Sequence, residues 1–433
     1  MKQSKLTIIL LVVLMLGGWA TALLATDSSE TDERQTHIDL AEEYMDRGLF
    51  QKAIEEYDAA ILLAGSEDLW TLKLNAYAMR YEESTKIYSD YVTAAKTAVS
   101  TYGSNVDFLI TLTELYLTRD EYTSAYSALK KATEAGMQDD RISNLMLRVK
   151  YAYDVQWKTY MEYRGNTNGY YAVSETGIWT YIEEDGTATD YEKLTFAGPV
   201  GALGIRVIEN EKRAELVDEN EIVQGILSFS PVQAGVFAEG LIAIHDGATY
   251  NYYNSLGDKQ FGGFDAAGTF VNGQAAVKQG DTWFLIDTNG EKVANSDFDE
   301  IVLCADQSHI RNGVMIAQKN GKYSFYKEES TVGTYSDTDI ITDDGIVAVC
   351  VNGKWGFVDL DGNTVIAPSY ENAKSFSNGL AAVYNGEHWG FIDTKGVLVI
   401  DYIFFDADYF NAEGCCMVES VEGGWQIISL YIK

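Results

Sequence analysis

The chain has 433 residues, 46% of them apolar, so it can build real cores and is not a disordered polymer. Its 65 acidic residues against 32 basic ones leave a net charge of −33, a surface that repels phosphate backbones and speaks against nucleic acid as a partner. With 38 glycines, 29 tyrosines and 8 tryptophans beside only 3 prolines, the composition points to many tight turns between strands.

Leu6 to Ala25 reads LTIILLVVLMLGGWATALLA, uncharged and long enough to cross a bilayer of ~30 Å. Lys2 and Lys5 precede it and the first acid behind it is Asp27, an asymmetry that keeps the N-terminus in the cytoplasm and puts the main body outside. Residues 1–26 are therefore a signal peptide, cleaved near Ala22 or Ala25, or a single-pass membrane anchor, and the length of the apolar run favours the anchor. Residues 27–34 read as a polar linker.

From 35 to 155 the pattern is helical, with Ala, Leu, Tyr, Glu and Lys recurring three and four residues apart and no proline. One copy of an internal repeat carries Leu40-Ala41, Tyr44, Gly48, Phe50, Ala53, Tyr57 and Ala60. Another carries Thr111-Leu112, Leu115, Tyr122, Ala125, Leu129 and Ala132. A middle copy starts with Trp70, Leu74 and Tyr77, but the small-residue register of its second helix is unclear. Arg141 to Tyr153 reads as a closing helix. These residues resemble the tetratricopeptide repeat, a helix–turn–helix unit of ~34 residues. The resemblance implies a peptide-holding groove along the first helices, with Glu42, Asn75, Thr113 and Tyr116 at groove positions. Read without it, the same four are ordinary helix-face residues.

After a second linker, 156–168, the period changes to strand-like runs separated by Asn-Gly and Asp-Gly turns. Eight units open on Gly169, Gly204, Gly240, Gly273, Gly313, Gly345, Gly379 and Gly414, at spacings of 35, 36, 33, 40, 32, 34 and 35 residues. Ten residues after the glycine stands an aromatic, namely Trp179, Tyr250, Trp283, Tyr323, Trp355 and Trp389, with Trp425 one place later and Ala214 as the exception. Each unit reads as a three-stranded meander followed by a connector such as Tyr370, Ala373 and Phe376. The segments GLAAVYNGEHWGFIDTKGVLVI and KWGFVDLDGNTVIAPSYENAKSF, with Trp355-Gly356 and Trp389-Gly390, resemble the WG repeat family. That family is mainly bacterial, and the resemblance implies a non-catalytic role. It covers 169–433 and weakens where Trp179-Thr180 and Trp283-Phe284 lose the glycine.

The fold class expected is thus multi-domain α + β: tetratricopeptide-like hairpins, then an all-β repeat array. A 35-residue meander cannot bury both faces alone, so neighbours must stack, either as an open or partly closed β-solenoid, which the short unit favours, or as a propeller-like ring. The repeated aromatics are either core residues or a stacking platform for sugars, and their uniform position favours the core. The four histidines form no metal or catalytic motif, and the four cysteines show no CxxC pair or ligand spacing and read as small buried apolar residues. Carboxylate groupings such as Asp359/Asp361 and Asp297/Asp299/Glu300 could suggest glycoside hydrolysis or calcium, but the segment Asp359 to Asn363 coincides with the hairpin turn of the other copies. No catalytic, cofactor or metal residue is assigned. The function expected is an exported, membrane-tethered binding or scaffold protein of the bacterial envelope with protein or peptide partners, envelope polysaccharide being the alternative ligand and glycan hydrolysis a remote one.

Overall fold

The computed structural model describes residues 28–189, 193–328 and 330–433. Leu6 to Ala25 lies outside them, and among the described residues no helix is long and apolar enough to cross a membrane. The chain divides into two compact units, one up to Ala152 and one from Tyr153 to Tyr431.

In the first unit, helices α1 (Ser28–Asp46) and α2 (Phe50–Ala64), α3 (Glu67–Glu83) and α4 (Tyr88–Thr101), and α5 (Val106–Leu117) and α6 (Tyr122–Glu134) form three hairpins, and α7 (Asp140–Lys150) follows. Side-chain caps start three of them: Ser66 Oγ accepts from Leu69 N, Asn105 Oδ1 from Phe108 N and Asp139 Oδ1 from Arg141 N. The first helix begins inside the stretch read as linker, because nothing between Ser28 and Asp46 is a glycine or proline that would stop it. Ala53 and Ala60 on α2, and Ala125 and Ala132 on α6, are buried, which lets paired helices approach closely. The unclear middle register resolves as Ala94, Ala95 and Ala98 on α4, all buried.

The second unit contains eight small antiparallel sheets arranged as a propeller. Blade seven shows the plan. Its first strand is only Asn372–Ala373, followed by Leu380–Tyr384, Trp389–Asp393 and Leu398–Phe404. The connector of the sequence reading therefore supplies the first strand of the next blade, and most blades have four strands rather than three. The second strand is buried along most of its length, since it is covered on both faces by neighbouring blades. Every opening glycine has positive φ, from 66° at Gly345 to 84° at Gly240, the left-handed conformation of a tight hairpin turn.

The array is closed. The strand Tyr153–Val155 pairs with Gly424–Leu430 in the last blade, with Tyr153 opposite Leu430 and Val155 opposite Ile428. A shared core of Tyr160, Tyr171, Val173 and Ile182 with Cys415, Met417 and Ile427 joins the first blade to the eighth. Of the two arrangements open to the sequence, the ring is realised, because residues ahead of the first repeat complete the last one. Two boundaries move accordingly: residues 153–155 are a strand rather than the end of the helical part, and the linker 156–168 contains the strand Glu162–Thr167 of blade one. Gln156 N donates to Ile427 O at 2.9 Å. Gln156→Pro removes that donor and is expected to cost about 1–2 kcal/mol. Hydrogen exchange along Gly424–Leu430 should accelerate, and unchanged protection there would mean the ring does not depend on this strand.

Candidate functional site

In the helical unit a cavity of about 710 Å³ lies among α4, α5 and α6. It exists because α6 turns Ser124, Ala128, Lys131 and Ala135 toward it at spacings of four, three and four, so three of four positions carry side chains too short to fill the space. Helix α4 contributes Lys96, Val99 and Ser100, and Leu109, Leu112 and Tyr116 of α5 form the floor. Of the four groove positions read from the sequence, only Tyr116 lines this cavity. It is buried, with Lys96 Nζ 5.6 Å from its ring centre. Thr113 is fully buried and its hydroxyl donates to Leu109 O at 2.8 Å, so it is spent on its own helix. Glu42 is exposed and Asn75 half-buried. The cavity is floored by α5 and walled by second helices, which the groove along the first helices leaves out. The signal that would have found it is the run of Ser and Ala on one face of α6.

In the ring the recurring aromatics begin the third strand of each blade. Trp179 and Trp389 are buried, and Tyr250, Trp283, Tyr323, Trp355 and Trp425 are half-buried, packed against blade cores. None of the seven is exposed. The following glycine has a separate reason. A Cβ on Gly356 would stand 2.6 Å from Pro368 N and 2.7 Å from Ile366 O, and one on Gly390 2.7 Å from Ile400 O. There the outer strand bulges: Trp355 faces Tyr370 and Phe357 faces Ile366, so one third-strand residue opposes three outer ones. Thr180 and Phe284 replace this glycine in blades one and four, and in those two blades the outer strand is reduced to isolated bridges, Trp179 with Leu194 and Trp283 with Phe298 among them. Blades three and five move the glycine across. Asn251 Oδ1 accepts from Gly263 N at 3.1 Å, and Ser324 Oγ donates to Gly333 O at 3.0 Å.

In blades six, seven and eight the residues just past the first strand are Asp339, Lys374 and Asp408, and in blades two, three and four they are Gly198, Gly235 and Gly268; Arg164 of blade one stands inside Glu162–Thr167, opposite Ala172. Both oxygens of the half-buried Asp339 lie 2.7 Å from the Tyr409 hydroxyl, which donates to the carboxylate from two blades away, and Ser375 N donates at 2.6 Å. Burial raises the Asp339 carboxyl above its ordinary range, and the Ser375 and Tyr409 hydrogen bonds oppose that rise. The glycine side is occupied by the long turn of blade five, which accounts for the 40-residue spacing: Gln307 O accepts from Thr269 N at 2.8 Å, and Gln307 Oε1 lies 2.9 Å from where a Gly235 Cβ would be. His309 in the same turn is buried with no partner on Nδ1 among the described residues, and desolvation holds its imidazole down to about 4 despite Glu239 nearby.

Asp359 belongs to a turn: Asn363 Nδ2 donates to its Oδ2 at 2.9 Å, and Asn363 N and Asp361 N donate to its Oδ1 at 2.8 and 2.9 Å, bonds that hold its carboxyl below the ordinary range. Glu300 instead lies in the strand Glu300–Val302, where its carboxylate accepts from the Tyr323 hydroxyl. Among the described residues no group of three or more His, Cys, Asp or Glu is arranged to hold a metal, and all four cysteines are buried thiols.

The WG containing repeat family model matches residues 263–283, 283–323, 355–387 and 389–425. Those stretches of the ring carry WG containing repeats. The matched stretches run largely from one third-strand aromatic to the next, so the WG repeat as a sequence unit straddles two blades. Blades one and two, where Trp-Thr and Ala-Glu replace Trp-Gly, lie outside them. No curated protein matches the chain. Among solved structures, the extracellular domain of the hybrid two component system BT4673 from B. thetaiotaomicron is similar at 11% identity over 65% of this chain, with a TM-score of 0.34. This chain covers 43% of that one, less than half of its length. The AfRom2 CNH domain is similar at 10% identity over 54% of this chain and 93% of its own, also with a TM-score of 0.34.

Proposed function

We propose that the protein is a non-catalytic binding or scaffold protein of the bacterial cell envelope, tethered or exported through Leu6 to Ala25, with the helical unit engaging protein partners and the WG ring as a second, rigid body. The observation that carries the reading is the cavity among α4, α5 and α6, whose apolar floor and polar rim suit it to hold a ligand. The export part rests on the basic residues before the apolar run and the acid behind it. The test is crosslinking of the full chain in its native envelope followed by capture. The expected result is one or more envelope proteins enriched over a strain lacking the chain; no enrichment over that control would overturn the reading.

A further inference from the structure

We propose that the cavity in the helical unit docks an acidic peptide segment of a partner protein, seating an apolar side chain on the floor and a carboxylate between Lys96 and Lys131; this rests on the binding reading above and names the chemistry of the partner. Charge decides the sign. Residues 27–155 carry 24 acids and 13 bases, yet the lining of the cavity contains two lysines and no acid. Arg47, Lys73, Arg141 and Arg148 of the unit are paired with Glu43, Asp58, Asp107 and Glu114. Lys96 and Lys131 are exposed and, like Lys52, Lys86 and Lys130, have no ion-pair partner among the described residues, while Lys96 Nζ lies 5.6 Å from the Tyr116 ring centre. What sets the cavity apart is that both ammonium groups stand at a lining that holds no carboxylate, a local reversal of the field in a chain of net charge −33, where a carboxylate meets attraction.

The polar groups decide between a peptide and a lipid. Ser100, Asn105, Thr123, Ser124 and Ser127 line the cavity together with Leu109 and Leu112. Peptide N–H and C=O groups would pair with those hydroxyls, whereas an acyl chain lying over them would remove water without returning a hydrogen bond. Because both lysines stand in solvent, the charged part of the affinity is modest and screened by salt, and the apolar anchor supplies the remainder.

The probe is a fluorescein-labelled, acetylated ten-residue peptide of glutamate and leucine, titrated with the full chain and followed by anisotropy. Binding is expected, weakened several-fold between 50 and 300 mM salt and by about tenfold in K96E/K131E. S127W, which blocks the rim without changing charge, should weaken it similarly. Thermal melts of both variants check folding, and K96Q/K131Q replaces the reversal if that variant melts early. Equal binding of a lysine-and-leucine peptide, indifference to the lysine variants, or decanoate displacing the probe stoichiometrically would each overturn the proposal, the last by making the cavity a lipid site. The envelope capture separates this failure from that of the broader reading. A partner taken equally by wild type and K96E/K131E leaves the scaffold in place and removes the cavity from it, while a partner lost only in the variant supports both.

Discussion

Replacing Gly390 by alanine is expected to lower the unfolding free energy by about 2–3 kcal/mol, and Gly356→Ala by a similar amount. Ordinary strand glycines gain from such a change, since alanine loses less chain entropy on folding. These two cannot, because the atoms in the way are backbone. At Gly390 they are Ile400 O at 2.7 Å and Asp401 C and O at 3.0 Å; at Gly356 they are Pro368 N, Ile366 O and Pro368 Cα. A flexible side chain could step aside, but a bulged strand held by its own ladder cannot. Relief would have to come from detaching the outer strand, the state that Thr180 and Phe284 already impose on blades one and four. Denaturant unfolding of the two variants measures the loss, and hydrogen exchange should show its source as faster opening of Thr364–Tyr370 or Leu398–Phe404. Gly165 is the control, since a Cβ there would meet nothing within 4 Å, and Gly165→Ala should fall within about 0.5 kcal/mol of wild type. Equal losses at all three positions would refute the close-approach account.

Acidification from pH 7 to pH 4 is expected to cost the protein about 3 kcal/mol through His309 alone. Desolvation in the blade-five turn depresses this imidazole from 6.5 to about 4 in the folded state. Between those values the unfolded chain binds a proton that the folded chain refuses, so stability rises with pH across the window. The contribution is complete above pH 6.5 and is lost as pH falls toward 4. Carboxylates titrate over the same range, so the measurement is a double difference: unfolding free energy of wild type and of His309→Phe, each at pH 7 and pH 4. Wild type should lose about 3 kcal/mol more than the variant. Parallel losses would show that His309 charges in the folded state, and hence that the turn opens in acid.

The repeat, its period and its turns were legible in the chain because a blade is local: glycine, strand, turn and aromatic follow one another within 35 residues. The helical hairpins were legible for the same reason, from Ala53 and Ala60 against Ala125 and Ala132. The first strand of each blade was not. In six of the eight blades it has two residues, as in Asn372–Ala373, too short to show alternation, and its partner belongs to the next repeat. Strand Tyr153–Val155 was read as helix because its pairing with Leu430 to Ile428 spans almost the whole β unit and leaves no mark in its own composition. The cavity was missed because the expected groove follows the first helices, whereas the small side chains lie on the second ones.

By itself the sequence determined the two architectures, their order, the acidic surface and the blade count, since all of these follow from short-range periodicity and summed charge. Only the tertiary structure decided that the array closes into a ring, that the aromatics pack into blades instead of facing solvent, and that one cavity of the acidic helical unit carries two lysines without ion-pair partners. Each of these depends on which residues meet across tens or hundreds of positions, where burial, close approach and local field are set by neighbours that no window of sequence contains.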